Sequence, residues 1–181
     1  MKTKKLTSLL ALIFVFILII PQVGSTANSQ PNFNARCYYQ GLDMYQNGNL
    51  KGAHDKWRFC ASERWTDKDK AGNANSQYRL GLLYYKGEGV SRNHGVAAKW
   101  IRLAAEQGHA QAQNKMGVFH SKGKGVLKSL KEAIKWTKLA AEQGFDEARN
   151  NLTLYEKLIE EKRLAEEQRI VEEKRLAEEQ R

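Results

Sequence analysis

Residues 76–90 read SQYRLGLLYYKGEGV, and residues 112–126 read AQNKMGVFHSKGKGV. The two stretches are offset by 36 residues, and the same offset relates the two copies of LAAEQG at 103–108 and 139–144. Self-similarity at a fixed period of about 20–50 residues is typical of stacked repeat proteins. The 36-residue period therefore predicts two copies of one structural unit, each a pair of helices.

The first half of each unit has the pattern of a helix that ends at a Gly-x-Gly turn. In the first unit Tyr78, Leu82 and Tyr85 recur at helical spacing and form the predicted apolar face. Gly81 lies inside this helix, where glycine costs up to about 1 kcal/mol relative to alanine. We therefore expect a neighbouring helix to approach it closely. The sequence GEGV at 87–90 then ends the helix, because glycine suits left-handed helix ends and tight turns.

The second half of each unit has the pattern of an amphipathic helix with a polar residue before it. Asn93 in the first unit and Ser129 in the second are candidate N-caps. Trp100 and Trp136 lie on the apolar faces that follow, and we expect them to pack in the core rather than to bind a ligand. One helical hairpin cannot bury its apolar face alone, so the units are expected to stack into a solenoid.

The residues shared by the two units resemble the Sel1-like repeat, a relative of the tetratricopeptide repeat. The pattern extends over residues 74–145, and in the first unit it comprises Leu80, Gly81, Tyr84, Gly87, Gly89, Val90, Ala97, Trp100, Ala104, Ala105, Glu106, Gln107 and Gly108. A third unit begins at Asp146, but Thr153 stands where its glycine should be. The expected fold is all-α, a short right-handed α-solenoid of stacked two-helix repeats (73–108 and 109–144) with a long charged C-terminal helix.

Residues 28–72 are expected to form a divergent leading hairpin and a loop. Its turn is predicted at 47–49, with Cys37 eleven residues before Gly48 and Cys60 twelve residues after it. Antiparallel helices bring such equidistant positions side by side, and an even cysteine count in an exported chain favours a disulfide. We predict a Cys37–Cys60 bridge, with two buried free thiols as the alternative.

The first 27 residues have the pattern of a secretory signal peptide. Three lysines in 1–5 precede an apolar run at 9–20, and small residues lead to Ala27. The run is shorter than the roughly 20 residues of a membrane-spanning helix. We predict cleavage after Ala27, with an uncleaved anchor as the alternative. The protein is then exported to the periplasm or the extracellular space, and it meets the membrane only through the signal peptide before cleavage.

Residues 145–181 are expected to form the C-terminal helix with its charged tail. EEKRLAEEQR at 160–169 returns at 172–181, a period of 12 that gives no continuous apolar stripe and argues against a regular coiled coil. We predict that residues 152–159 pack on the last repeat and that the remainder is a solvated helix. Self-association through this helix is a further hypothesis. The predicted ion pairs at helical spacing are Lys162–Glu166, Arg163–Glu167, Arg169–Glu173 and Arg175–Glu179.

The charge of the chain is concentrated in its body. The whole chain carries a net charge of +10; residues 28–145 contain 19 basic and 9 acidic side chains, and residues 146–181 contain 8 and 11. A basic body attracts anionic partners through a salt-sensitive field. In this repeat architecture the first helix of each unit lines a concave groove. We predict that the groove carries a basic patch, an ordinary solvated face being the alternative; its residues are Arg79, Lys86, Lys115 and Lys122.

A search for catalytic and metal-binding motifs leaves no candidate residue. The four histidines lack metal-ligand spacing, and the glycine pairs lack the spacing of a phosphate-binding loop. A Ser-x-x-Lys motif at 121–124 falls at a helix end, whereas in serine acyltransferases it opens a helix. His120 stands at a core position and is expected to pack there. We therefore expect no cofactor and no metal.

The resemblance implies a non-catalytic adaptor of the bacterial envelope that binds a protein partner. The charge favours an acidic partner, and the sequence has no nucleic-acid signature. The alternative is a small-ligand binder or a hydrolase, because some cysteine-rich relatives bind or hydrolyse β-lactams. Those relatives carry a cysteine pair in most repeats, whereas this chain has a single pair, outside its regular repeats.

Overall fold

The structure, a computed structural model, describes residues 33–62 and 73–181. In these two ranges it has no strand and seven α-helices: α1 (Phe33–Gln46), α2 (Leu50–Ala61), α3 (Ala74–Lys86), α4 (His94–Glu106), α5 (Ala110–Lys122), α6 (Leu130–Glu142) and α7 (Asp146–Glu179). From α2 onward each helix packs on the next in chain order, and the predicted all-α solenoid is confirmed. The predicted signal peptide (1–27) and the loop at 64–72 lie outside the described residues. Among the described helices, none combines the length and the apolarity needed to cross a membrane.

Polar residues begin the helices of the repeats. Side-chain oxygens of Asn73, Asn93 and Ser129 accept hydrogen bonds from the backbone N–H three residues ahead, at 2.7, 3.0 and 3.2 Å. The N-caps predicted at Asn93 and Ser129 are therefore confirmed. Helices α3 and α5 end at Gly87 and Gly123, whose φ angles of 80° and 68° lie in the left-handed region.

A glycine in the first helix of each unit lies against the second helix, with no room for a side chain. A Cβ added to Gly81 would overlap the Ile101 side chain of α4 and lie 3.1 Å from the Ala97 carbonyl oxygen. A Cβ added to Gly117 of α5 would overlap Thr137 of α6 in the same way. The close approach predicted at Gly81 is confirmed.

The buried stripe of α3 differs from the predicted apolar face. Leu80 and Leu83 are fully buried against α2, whereas Tyr78, Leu82 and Tyr85 are only partly buried. The predicted helix is confirmed, and Tyr78 and Tyr85 pack at the edge of a core cluster. They are only partly buried because α3 packs against both α2 and α4, and its fully buried leucines lie between the tyrosines. The tryptophans Trp100 and Trp136 are likewise half-buried at the edges of the two core clusters.

A pair of glutamines repeats the same hydrogen bond in both units. Gln107 Nε2 donates to Gln77 Oε1, and Gln143 Nε2 donates to Gln113 Oε1, both at 2.6 Å. The amide groups of Gln77 and Gln113 also donate to backbone carbonyls in the last turn of the preceding unit, at 3.2 and 3.1 Å. Each unit is thereby joined to its predecessor through buried polar groups whose hydrogen bonds are satisfied.

The leading hairpin of α1 and α2 contains the predicted disulfide between Cys37 and Cys60. Both cysteines are buried, and Trp57 of α2 donates its indole N–H to the Tyr38 carbonyl of α1 at 3.2 Å. In the loop-entropy picture, a bridge that closes a loop of this length stabilises the fold by about 3 kcal/mol.

Helix α7 begins on the last repeat and continues past it. Asn151 donates to Asn114 Oδ1 at 2.9 Å, and the buried Tyr155 places its hydroxyl 3.2 Å from Ser121 Oγ. From residue 160 to residue 181 every residue is exposed. The predicted packing of the first part of the helix is therefore confirmed, with Tyr155 as its anchor.

Arginines hold the exposed part of α7 through paired contacts. Arg163, Arg169 and Arg175 each bridge the glutamate three residues before and the glutamate four residues after. Three of the four predicted ion pairs are present. The pair between Lys162 and Glu166 is wrong, because Glu166 pairs with Arg169, whose guanidinium binds a carboxylate through two N–H groups.

We expect the substitution Gly81→Ala to lower the free energy of unfolding by about 1–3 kcal/mol, since the added methyl group would overlap Ile101. Gly95→Ala in α4 is the matched control. Its Cβ would meet only Asn93 Oδ1, at 3.4 Å, and alanine favours a helix by up to about 1 kcal/mol. Urea denaturation followed by circular dichroism measures both, and equal midpoints for the two variants would contradict the close approach.

The cap of α5 is a histidine where the preceding unit has asparagine. His109 Nδ1 accepts from the Ala112 N–H at 3.2 Å, and Nε2 lies 3.1 Å from Asn75 Oδ1. This cap requires an unprotonated Nδ1. Burial lowers the His109 pKa below 6.5, and the nearby positive charge of Arg79 acts in the same direction.

We therefore expect the protein to lose stability as the pH falls through 6.5, the ordinary histidine pKa. The unfolded chain takes up the His109 proton at a higher pH than the folded chain, so protonation favours unfolding. His109→Asn, which restores the cap found at Asn73, should remove this part of the pH dependence. Urea midpoints at pH about 7.5 and about 5.5 measure it, and an unchanged difference between the two midpoints would reject the histidine cap as its source.

Candidate functional site

The four residues of the predicted basic patch lie on neighbouring helices but in two separate places. Arg79 and Lys86 of α3 line a narrow cleft together with Glu88. Lys115 and Lys122 belong to α5 and act on Tyr85 of α3 instead. The patch therefore has one half in each unit, and the surroundings of the two halves differ.

The half in the first unit contains a compensating carboxylate. Lys86 Nζ lies 3.3 Å from Glu88 Oε1, and Glu88 Oε2 accepts a hydrogen bond from the Tyr45 hydroxyl at 2.8 Å. Arg79 Nε lies 3.4 Å from the Tyr38 hydroxyl. One of the two cations in this half is thus neutralised, and the other is directed at a tyrosine.

The half in the second unit surrounds one tyrosine with lysines. Lys124 donates a hydrogen bond to the Tyr85 hydroxyl at 3.0 Å. The Nζ atoms of Lys115 and Lys124 lie 5.0 and 5.1 Å from the centre of the Tyr85 ring, within cation–π range. Lys122 also acts electrostatically on the phenol. We call Tyr85, Lys115, Lys122 and Lys124 the lysine–tyrosine cluster.

Within the described residues, the cluster holds positive charge that no ion pair cancels. In the part of the chain that the structure describes, no carboxylate forms an ion pair with Lys115, Lys122 or Lys124. The hydrogen bond from Lys124 is the largest cause that lowers the Tyr85 pKa below 10.0, and the charges of the three lysines lower it further against the opposing effect of burial.

The ring of Tyr85 is fixed by its packing. Its centre lies 5.2 Å from the ring of Phe119, which is fully buried, and 5.2 Å from the ring of His94. The phenol is therefore held in place on α3 while the lysines approach it from α5 and from the turn that follows.

Spacing within one unit does not identify Tyr85 or Lys124 as site residues. It places Tyr85 on an apolar face and Lys124 in a turn. The sequence does contain one indication, since Lys124 stands 36 residues after Glu88 and the same turn position carries opposite charges in the two units. The charge difference becomes a difference in contacts only because this turn packs on the preceding unit. The spacing of residues within one unit does not reveal contacts between units.

Other polar side chains of the described regions make structural contacts. His120 is buried with Nδ1 3.1 Å from the Leu127 carbonyl oxygen, and the Ser121 hydroxyl lies 3.0 Å from the Val118 carbonyl oxygen. His54 lies between Asp55 and Tyr84, at 3.0 and 3.1 Å. Across residues 33–62 and 73–181, no three His, Cys, Asp or Glu side chains are arranged to hold a metal ion.

Comparison with known proteins identifies the repeating unit. The Sel1 repeat matches residues 74–109 and 110–145. The crystal structure of a Sel1 repeat protein from Oxalobacter formigenes is similar at 35% identity and a TM-score of 0.59, over 67% of this chain and 47% of that one. A protective antigen present in uropathogenic Escherichia coli strains, with an SLR fold, is similar at 25% identity and a TM-score of 0.62, over 70% of this chain and 26% of that one.

This chain thus spans about half the length of the first relative and about a quarter of the second. Among curated proteins, none matches the sequence.

We expect Lys124→Met to raise the pKa of Tyr85, because the substitution removes the hydrogen bond that lowers it most. Lys99→Met, on the exposed side of α4, is the control and should leave the titration unchanged. Ultraviolet difference titration measures the phenol, with a Tyr85→Phe variant to identify its contribution. Identical Tyr85 titration curves in the Lys124→Met variant and the parent would show that the contact is absent in solution.

Proposed function

Because this chain is a Sel1-repeat protein, with its repeats over residues 74–109 and 110–145, we propose that it is a non-catalytic scaffold of the bacterial envelope that binds an acidic protein partner. Sel1-repeat proteins are generally protein–protein interaction scaffolds without catalytic activity. The proposed binding surface is the face formed by α3 and α5, which carries Arg79, Lys86, Lys115 and Lys122.

The uncompensated charge of the lysine–tyrosine cluster is the observation that carries the proposal. Lysines without a neighbouring carboxylate repel one another, and an incoming carboxylate relieves that repulsion. The charge excess of residues 28–145 extends the attraction beyond contact distance, so association should be fast at low salt and weaker at high salt.

Export is supported by two observations. A buried disulfide between Cys37 and Cys60 fits an oxidising compartment, and residues 1–27 have the pattern of a secretory leader. One solved relative is a protective antigen, which is consistent with a place in or outside the envelope for this chain as well.

Charge reversal on the α3–α5 face tests the proposal. The mature chain, residues 28–181, is used to capture partners from envelope extract at low and moderate salt, and each retained protein is identified and its affinity measured. We expect the variant with Arg79, Lys86, Lys115 and Lys122 all changed to glutamate to lose the acidic partner, with about a hundredfold weaker binding, while its circular dichroism stays helical.

The repeat supplies a control with the same charge change. Lys99, Arg102, Lys135 and Lys138 are exposed on α4 and α6 and are related by the same offset of 36 residues. The variant with these four residues changed to glutamate should retain most of its affinity for the acidic partner. Equal loss in both variants would indicate a diffuse field in place of a binding face, and full binding by the α3–α5 variant would reject the proposal.

A further inference from the structure

The residue between the two glycines of the turn has opposite charges in the two units, and this concentrates positive charge in the second turn. Glu88 occupies this position in the first unit, where the carboxylate accepts a hydrogen bond from Tyr45 and pairs with Lys86. Lys124 occupies it in the second unit, where the ammonium donates to Tyr85. The same architecture thus builds a charge-compensated contact in one unit and a cationic contact in the next.

The lysine–tyrosine cluster offers hydrogen-bond donors and almost no free acceptor. An ammonium group has three donors and no acceptor, and the hydroxyl oxygen of Tyr85 already accepts from Lys124. The hydroxyl proton therefore remains free to donate outward. A ligand that matches this set has acceptors only and carries negative charge, which describes a carboxylate.

The cluster is also arranged before any ligand arrives. Phe119 and His94 pack against the Tyr85 ring, and two ammonium groups already lie near its face. A site whose groups are already positioned loses less conformational entropy on binding.

We propose that the lysine–tyrosine cluster is the anchor point of the acidic partner and binds the side-chain carboxylate of a glutamate or aspartate in a protein segment that lies along the α3–α5 face. This inference rests on the proposed function and narrows the binding site to the contact between the two units, where α5 and the turn after it meet Tyr85 of α3. Lys86 contributes less to the affinity because Glu88 neutralises it, and the Arg79 guanidinium already lies 3.4 Å from the Tyr38 hydroxyl.

The acidic tail of this chain is a poor occupant for the site. Six of its glutamates are already paired with Arg163, Arg169 and Arg175. Docking of any of these six glutamates into the cluster of another copy would require its pair with arginine to break. The proposed occupant is therefore a different protein, with carboxylates that are free to bind.

A defined acidic probe tests the assignment. Hexaglutamate with blocked ends, and hexaglutamine as its neutral counterpart, are titrated calorimetrically into residues 28–181. We expect Lys124→Glu to weaken hexaglutamate binding about tenfold or more. Tyr85→Phe should weaken it about threefold through the loss of one hydrogen bond. Lys99→Glu, which makes the same charge change on α4, is the control and should weaken it less than about twofold. Glu88→Lys, which recreates the cationic turn in the first unit, should strengthen it.

The outcomes separate this proposal from the broader one. If Lys124→Glu retains full affinity while the fourfold α3–α5 variant loses it, the anchor assignment is overturned and the binding face stands. If Lys99→Glu and Lys124→Glu weaken binding equally, both the anchor and the face fail. Polygalacturonate, a polysaccharide that carries carboxylates, is titrated as a non-protein comparison. If the parent chain does not bind hexaglutamate, or binds only polygalacturonate, an acidic protein segment is the wrong class of ligand.

The phenol itself provides an independent readout. Three ammonium groups, from Lys115, Lys122 and Lys124, and the His94 ring face Tyr85. A bound carboxylate offsets the lysine charges, so saturating hexaglutamate should raise the Tyr85 pKa. Binding that leaves the Tyr85 titration unchanged would place the ligand elsewhere and overturn the assignment.

Discussion

The missing side chains at Gly81 and Gly117 set the spacing between the two helices of each unit. A Cβ at either position would overlap the facing helix, at Ile101 in one unit and at Thr137 in the other. Glycine is unfavourable inside a helix, so the packing that it permits must compensate for its cost. Close approach buries Ala97 and Ile101 on the facing helix, both of which are fully buried.

The second glycine of each turn connects one unit to the one before it. Gly89 and Gly125 have φ angles of 71° and 70°, and a Cβ at either would overlap backbone at the start of the preceding unit's second helix. The residue between the two glycines is therefore held beside the preceding unit, where Glu88 and Lys124 each reach a tyrosine. The glycines are fixed by packing, whereas the residue between them is free to vary in charge. The charge at this one position differs between the two units, although the helices on either side of it repeat.

Local chemistry explains what the sequence predicts well. The period, the caps at Asn93 and Ser129 and the Cys37–Cys60 bridge follow from short-range spacing and from the equal distances of the cysteines from a turn. The buried side of α3 does not follow from its own pattern, because the helix is covered from two directions and half-buried tyrosines resemble core residues in periodicity. The members of the lysine–tyrosine cluster come from two units, so the predicted patch contained Lys115 and Lys122 but neither Tyr85 nor Lys124. In the tail, spacing alone also does not show that Glu166 prefers a guanidinium to the ammonium of Lys162.

Most charged side chains of the tail form ion pairs within α7, and this limits how far they offset the positive charge of residues 28–145. An exposed ion pair within a helix contributes about 0.2–0.5 kcal/mol, so a helix of about 30 Å without tertiary contacts depends on many of them. The glutamates that make these pairs are unavailable to the basic body, although the tail is the acidic part of the chain. These paired glutamates therefore offset less of the positive charge of residues 28–145 than their number implies. Under the proposed function, the glutamates held in these pairs do not compete with an acidic partner for the α3–α5 face.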